Sequence, residues 1–157
     1  MSRRIVLDAS AALHAVLPGP AAEPVLDALA SAAVVLAPDL YCLEVANALW
    51  KYVGAGELEA EEAGGRLERA LALVDALTPV AELAKESLVT AAEAGHPVYD
   101  CAYAVLARRE GATVLTADGG FAAALGKLRT PVIAVTAAPS PKKAHGPRPP
   151  APRRRQS

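Results

Sequence analysis

The sequence predicts an α/β fold of three layers, α/β/α, with a short parallel sheet in the centre. Three observations carry this expectation. Short runs rich in valine, leucine and isoleucine alternate with helical stretches of roughly 10–15 residues, the rhythm of successive βα units. Those short runs lack polar alternation, as strands covered on both faces require. The 157 residues are 53% hydrophobic but only 4% aromatic, with a mean hydropathy of +0.25, so alanine, leucine and valine must build the single core and favour helices around it.

Taken in order, residues 4–8 (Arg-Ile-Val-Leu-Asp) form a β-branched run that reads as a central strand. Ser10 is the expected N-cap of a helix over residues 11–17, which Pro18-Gly19-Pro20 ends. A second short helix is expected over 23–31, with Pro24 at its first position. Residues 34–37 (Val-Val-Leu-Ala) read as the second strand. Asp39 is the expected cap of a strong helix over 40–53, with Leu43, Ala46 and Trp50 as its apolar face and Glu44 and Asn47 beside it.

Gly54-Ala-Gly56 stops that helix, and a charged helical region over 57–73 is expected to split at Gly64-Gly65. Residues 73–78 can end that region or form a short strand; the strand is favoured because Pro79 and a helix over 82–94 then complete another βα unit. After the loop Gly95-His96-Pro97 come a helix over 99–109, a stop at Gly111 and a strand over 113–116. A helix over 120–128 and a strand over 131–135 close the domain, assigned to residues 1–136. Connections between the parallel strands should be right-handed.

The formal net charge of −1 hides an asymmetry. Residues 137–157 hold Lys142, Lys143, Arg148, Arg153, Arg154 and Arg155 and no acid, which leaves 10 basic residues against 17 acidic ones, a net −7, in residues 1–136. An acidic body is a poor passive coat for nucleic acid but suits an enzyme whose acids bind cations. The proline-rich basic tail has no apolar period and is expected to stay disordered. Cys42 and Cys101 belong to no metal-ligand pattern and read as reduced core thiols. The apolar run behind Arg3-Arg4 is interrupted at Asp8 and stopped at Pro18, too short for an export signal or a membrane span. A cytoplasmic protein without membrane contact is expected.

Four acids carry the chemistry. Asp8 and Asp118 stand at or just past the carboxyl ends of predicted strands, and Glu44 and Asp100 stand in the first turns of predicted helices on the same side. Ligands of open parallel sheets bind at that edge. Carboxylates gathered there cannot all ionise without a counter-ion. A hard divalent cation such as Mg²⁺ resolves this, taking one or two carboxylates directly and others through water. It can polarise a phosphoryl oxygen, while the number of ions stays open.

The segments Val6-Leu-Asp-Ala-Ser10, Pro38-Asp-Leu-Tyr-Cys-Leu-Glu-Val-Ala-Asn-Ala-Leu49, Tyr99-Asp-Cys-Ala-Tyr-Ala-Val-Leu-Ala107 and Thr116-Ala-Asp-Gly-Gly-Phe121 resemble the motifs of PIN-domain ribonucleases. Among these the chain looks most like the short VapC-type toxins, from about Arg4 to Val135. The resemblance implies a PIN-like fold and an endoribonuclease dependent on Mg²⁺ or Mn²⁺. It implies that Asp8, Glu44, Asp100 and Asp118 are the catalytic and metal-holding acids, with Ser10, Asn47 and Thr116 supporting them. It further implies a homodimer, a structured RNA substrate such as tRNA or a ribosomal RNA loop, and a cognate antitoxin that fills the site, often with an arginine. Gly119-Gly120 departs from relatives that carry a fifth acid after the last one, which leaves open how a second ion would be held.

Each residue also has an ordinary reading. Asp8 and Asp118 could be turn residues, and Asp100 could serve only the helix dipole. His14, His96 and His145 have no partner at metal-ligand spacing and read as non-catalytic; Tyr41, Trp50, Tyr99 and Tyr103 read as core or dimer packing. A phosphatase with Asp8 as nucleophile lacks the second aspartate two residues on, where Ser10 stands. A processing nuclease without an antitoxin, or a binding module that holds metal without cutting, remain the alternatives.

Overall fold

The protein is described here by a computed structural model covering residues 3–135; the tail expected to be disordered lies outside the described residues. The strands are β1 (Arg3–Leu7), β2 (Ala32–Pro38), β3 (Ala76–Thr78), β4 (Thr113–Thr116) and β5 (Val132–Ala134). The helices are α1 (Ala9–Val16), α2 (Ala22–Ala30), α3 (Leu40–Gly54), α4 (Ala60–Leu71), α5 (Val80–Ala94), α6 (Val98–Glu110) and α7 (Gly119–Lys127). All strands pair in parallel in one sheet of order β3-β2-β1-β4-β5.

The apolar runs go where their chemistry requires. Ile5, Val6 and Leu7 of β1 and Val114 and Leu115 of β4 are fully buried, and these two strands pair at the centre from Ile5↔Thr113 to Leu7↔Leu115. The Asp8 N–H extends that ladder by donating to the Leu115 carbonyl at 3.0 Å. The chain leaves β1 outward through β2 to β3, then returns across the sheet to β4 and β5. Right-handed crossovers therefore place α1–α4 over one face and α5–α7 over the other. In agreement, α1 packs against α2, α3 and α4, and α5 packs against α6.

Several local expectations are corrected. The first helix begins at Ala9, with Asp8 rather than Ser10 at its N-cap, because Asp8 is the last extended residue (φ −81°, ψ 145°) and its carbonyl accepts from Ala11 and Ala12. Its side chain makes no capping bond. Pro24 falls at the third position of α2, where its missing N–H is still no loss. Asp39 occupies the N-cap position of α3, but its Oδ1 accepts from Val80 N at 3.0 Å and so caps α5 instead. This is possible because β2 and β3 end side by side, Pro38 against Thr78.

The buried stripe of α3 is Tyr41, Val45 and Leu49; Leu43 and Trp50 are exposed. The helix is apolar nearly all round, so composition did not set its rotation. Tyr41 does, its hydroxyl donating to the Ala70 carbonyl of α4 at 2.7 Å. The Gly64-Gly65 pair does not split α4, which runs unbroken. Arg66 holds it in place, donating to the Val16 carbonyl of α1 and pairing with Glu62 one turn back. The short strand before Pro79 forms over Ala76–Thr78, with Asp75 clamped to Val35 through both backbone and side chain. Gly111 ends α6 in the left-handed region (φ 58°), a conformation that favours glycine.

Two stability outcomes follow. A Cβ at Gly65 would meet nothing within 4 Å, so Gly65→Ala should stabilise by about 0.5–1 kcal/mol in urea unfolding. Leu49→Ala should cost about 2–5 kcal/mol and Trp50→Ala clearly less, the reverse of an apolar face built on Trp50.

Candidate active site

The return of the chain between β1 and β4 opens a crevice at their carboxyl ends, the usual ligand position of open parallel sheets. Asp8 follows β1 directly and Asp118 follows β4 by two residues, at the N-cap of α7. Glu44 comes from the second turn of α3 and Asp100 from the first turn of α6, which pack on opposite faces of the sheet. The four side chains are close enough to feel one another's charge: Asp100 and Asp118 act on Asp8, and Asp8 and Asp100 act on Glu44.

Each acid is held by a different partner. Asp8 Oδ2 accepts from Ser10 Oγ at 2.5 Å and from Thr116 Oγ1 at 2.7 Å. Those hydroxyls are themselves tied to the loop after β4, Ser10 Oγ accepting from Ala117 N at 2.9 Å and Thr116 Oγ1 from Asp118 N at 3.0 Å. Asp118 Oδ1 accepts from Phe121 N at 2.9 Å, a helix-capping bond. Glu44 Oε2 accepts from the Tyr103 hydroxyl at 2.5 Å, and Asp100 Oδ2 lies 2.7 Å from His96 Nε2. In every case one carboxylate oxygen is engaged and the other takes no hydrogen bond from the described residues. Asn47, one turn beyond Glu44, is exposed and joins none of these bonds.

Burial sets the electrostatics. Asp8 is 8% exposed, and desolvation raises its pKa; the hydroxyls of Ser10 and Thr116 pull it back, and the charges of Asp100 and Asp118 add to the rise. Desolvation likewise lifts Glu44 to about 7, opposed by the Tyr103 hydrogen bond and reinforced by Asp8 and Asp100. Two acids that resist ionisation at one sheet edge would ionise more readily beside a positive charge.

The donor set suits a hard divalent ion. It consists of carboxylate oxygens, and the imidazole of His96 is turned to Asp100. Among the described residues no three His, Cys, Asp or Glu side chains converge tightly enough to form a ready-made metal cage. An ion that binds one or two carboxylates directly and retains its waters, as Mg²⁺ does, fits this looser arrangement. A Cβ at Gly120, two residues after Asp118, would stand 3.3 Å from Asp118 Oδ1, so the glycine leaves room for the bond from Phe121 N to that oxygen.

Two contacts were missed in the sequence. The sequence assigns Tyr103 only a packing role and His96 no partner at metal-ligand spacing; in the structure both bond an acid of the cluster. The signal for His96 was its spacing, four residues before Asp100, though Pro97 between them hid it by denying a helix.

Glu44 yields a pH outcome. An acid whose folded pKa exceeds its ordinary value of 4.5 favours the folded state below that value and loses this contribution as pH rises through about 7. In chelator, Glu44→Gln should therefore flatten the fall in melting temperature between pH 5 and pH 8 and melt above the parent protein at pH 8.

Residues 5–126 match the PIN domain family. Ribonuclease VapC3 of Pyrobaculum aerophilum is 35% identical over 130 residues, which span 82% of this chain and 99% of that protein. The crystal structure of PAE2754, also from Pyrobaculum aerophilum, aligns with a TM-score of 0.62 at 26% identity over 79% of this chain and 87% of that one. That of VapC20 from Mycobacterium tuberculosis, a sarcin-ricin loop cleaving toxin, aligns with a TM-score of 0.56 at 23% identity over 76% and 94%, a likeness of fold alone. The site lies inside the matched residues, and the chain belongs to the PIN-domain family, with VapC-type ribonucleases among its relatives.

Proposed function

We propose that the protein is a divalent-metal-dependent endoribonuclease and the toxin of a toxin–antitoxin pair. The observation that carries the reading is the acid cluster at the β1–β4 crevice, in which four carboxylates each keep one oxygen free of protein partners among the described residues. Asp8, Glu44, Asp100 and Asp118 would hold Mg²⁺, or Mn²⁺ in its place. The bound ion supplies Lewis acidity at the phosphodiester. Ser10 and Thr116 fix Asp8 by engaging its Oδ2, leaving Oδ1 for the site. Glu44, raised to about 7 before any ion binds, would take the proton of the attacking water on Oε1 as the new phosphorus–oxygen bond forms. The bond to the ribose oxygen breaks, and that oxygen leaves with a proton from solvent. Asn47 has no part in the contacts described, and its supporting role rests on the family resemblance alone.

The substrate is proposed to be a structured RNA, tRNA or a ribosomal RNA loop. The antitoxin is proposed to reach the same edge with a cationic side chain, which would pair with the free carboxylate oxygens as the metal does. A homodimer is supported by the exposed apolar side chains Leu43, Trp50, Leu88 and Tyr99, which the described residues leave uncovered. No helix among the described residues is long and apolar enough to cross a membrane; the proposed site of action, with RNA as substrate, is the cytoplasm.

Purified protein should cut total cellular RNA with Mg²⁺ or Mn²⁺ and stop in chelator. Asp100→Asn should lower the rate by at least about 100-fold, within the range of losses for transition-state charge stabilisers. RNA left equally intact by both proteins would defeat the proposal. Expression should arrest growth, and Asp8→Ala should relieve it; a processing nuclease would cut RNA without arrest.

A further inference from the structure

We infer that His96 and Tyr103 are positioning residues for Asp100 and Glu44, braced against a shared aromatic support, Phe121. The inference rests on the metal-dependent nuclease reading and adds the residues that aim its carboxylates.

Phe121 is the only phenylalanine in the chain and is 3% exposed at the start of α7. The His96 ring stacks on it with centroids 6.0 Å apart and planes 13° apart. Tyr103 meets it edge-on, with centroids 6.3 Å apart and planes at 66°. The same residue's backbone N–H holds Asp118 Oδ1. One residue thus touches the supports of three of the four acids: His96 to Asp100, Tyr103 to Glu44, and its own amide to Asp118.

The two supports are stiff. Tyr103 is fully buried, so its hydroxyl cannot swing to water when Glu44 moves. His96 sits between Gly95, held at φ 61°, and Pro97, whose ring fixes φ and which caps α6. With Asp100 ionised, the imidazole is the donor of the 2.7 Å bond. Each support takes one oxygen of its acid, and the other accepts no hydrogen bond from the described residues. Hydrogen-bonded partners of metal ligands typically change metal affinity by about 10–100-fold when removed.

If these were ordinary packing aromatics, their rings would matter and their polar atoms would not. His96→Phe and Tyr103→Phe keep the ring and delete the donor. Each should still unfold cooperatively in chelator, at a temperature lowered by the one lost hydrogen bond, yet bind Mn²⁺ about 10-fold more weakly by calorimetry without RNA. RNA cleavage at limiting Mn²⁺ should fall in step and recover as Mn²⁺ is raised. His96→Gln, with an amide donor, should regain part of the lost affinity. Phe121→Leu should weaken Mn²⁺ binding although its side chain bonds no carboxylate. Wild-type Mn²⁺ affinity in both His96→Phe and Tyr103→Phe would overturn the inference while leaving the nuclease reading intact. If Tyr103→Phe fails to fold, His96→Phe, in a partly exposed loop, decides alone. A parent protein that neither binds Mn²⁺ nor cuts RNA would overturn both.

Discussion

The site depends on the parallel pairing of β1 with β4. These strands lie at the centre of the sheet, buried on both faces, and their register is fixed by apolar side chains that have no alternative place. A slip of one residue would turn the buried set outward. Because the register is fixed, Asp8 arrives beside Thr116 and Ser10 beside Ala117. The hydroxyl network that aims Asp8 is therefore a continuation of the strand ladder by side-chain means. The helices then deliver Glu44 and Asp100 from the two faces to the same edge.

The acid cluster works against the fold that supports it. Burial and mutual repulsion raise Asp8 and Glu44, so their ionised forms are destabilising where no positive charge faces them. The surrounding donors lessen this without abolishing it. Ser10, Thr116, Tyr103, His96 and the α7 amide each neutralise part of one carboxylate and leave the remainder unsatisfied. This is the arrangement expected where stability is given up for binding.

Much of this was legible in the sequence, for identifiable reasons. Strands buried on both faces are written as unbroken apolar runs, and β4 matches its expected span, residues 113–116. The acids at element ends could be counted, and topology alone brought them to one edge. Helix rotation was not legible in α3, because a helix apolar nearly all round carries no single stripe; a tyrosine hydroxyl reaching α4 decides it. The continuity of α4 was hidden because tertiary anchors at Arg66 override the weakness of paired glycines. The aromatic supports were hidden for a further reason. Phe121, Tyr103 and His96 lie far apart in sequence or across a proline, and only the contacts of their rings in the folded chain join them.

The chain order of the cluster has a consequence for synthesis. Asp8 is made early and Asp118 late, and the β1–β4 pair that unites them closes a loop of more than a hundred residues. Such a contact forms slowly and only after its second strand has been made. Helices α1–α4 can gather beforehand, but without β4 there is no crevice and no hydroxyl from Thr116 to aim Asp8. On the proposed reading, a nascent or prematurely released chain lacking β4 would have no assembled site for RNA. The ribosome thus completes almost the whole domain before Asp8 and Asp118 can meet.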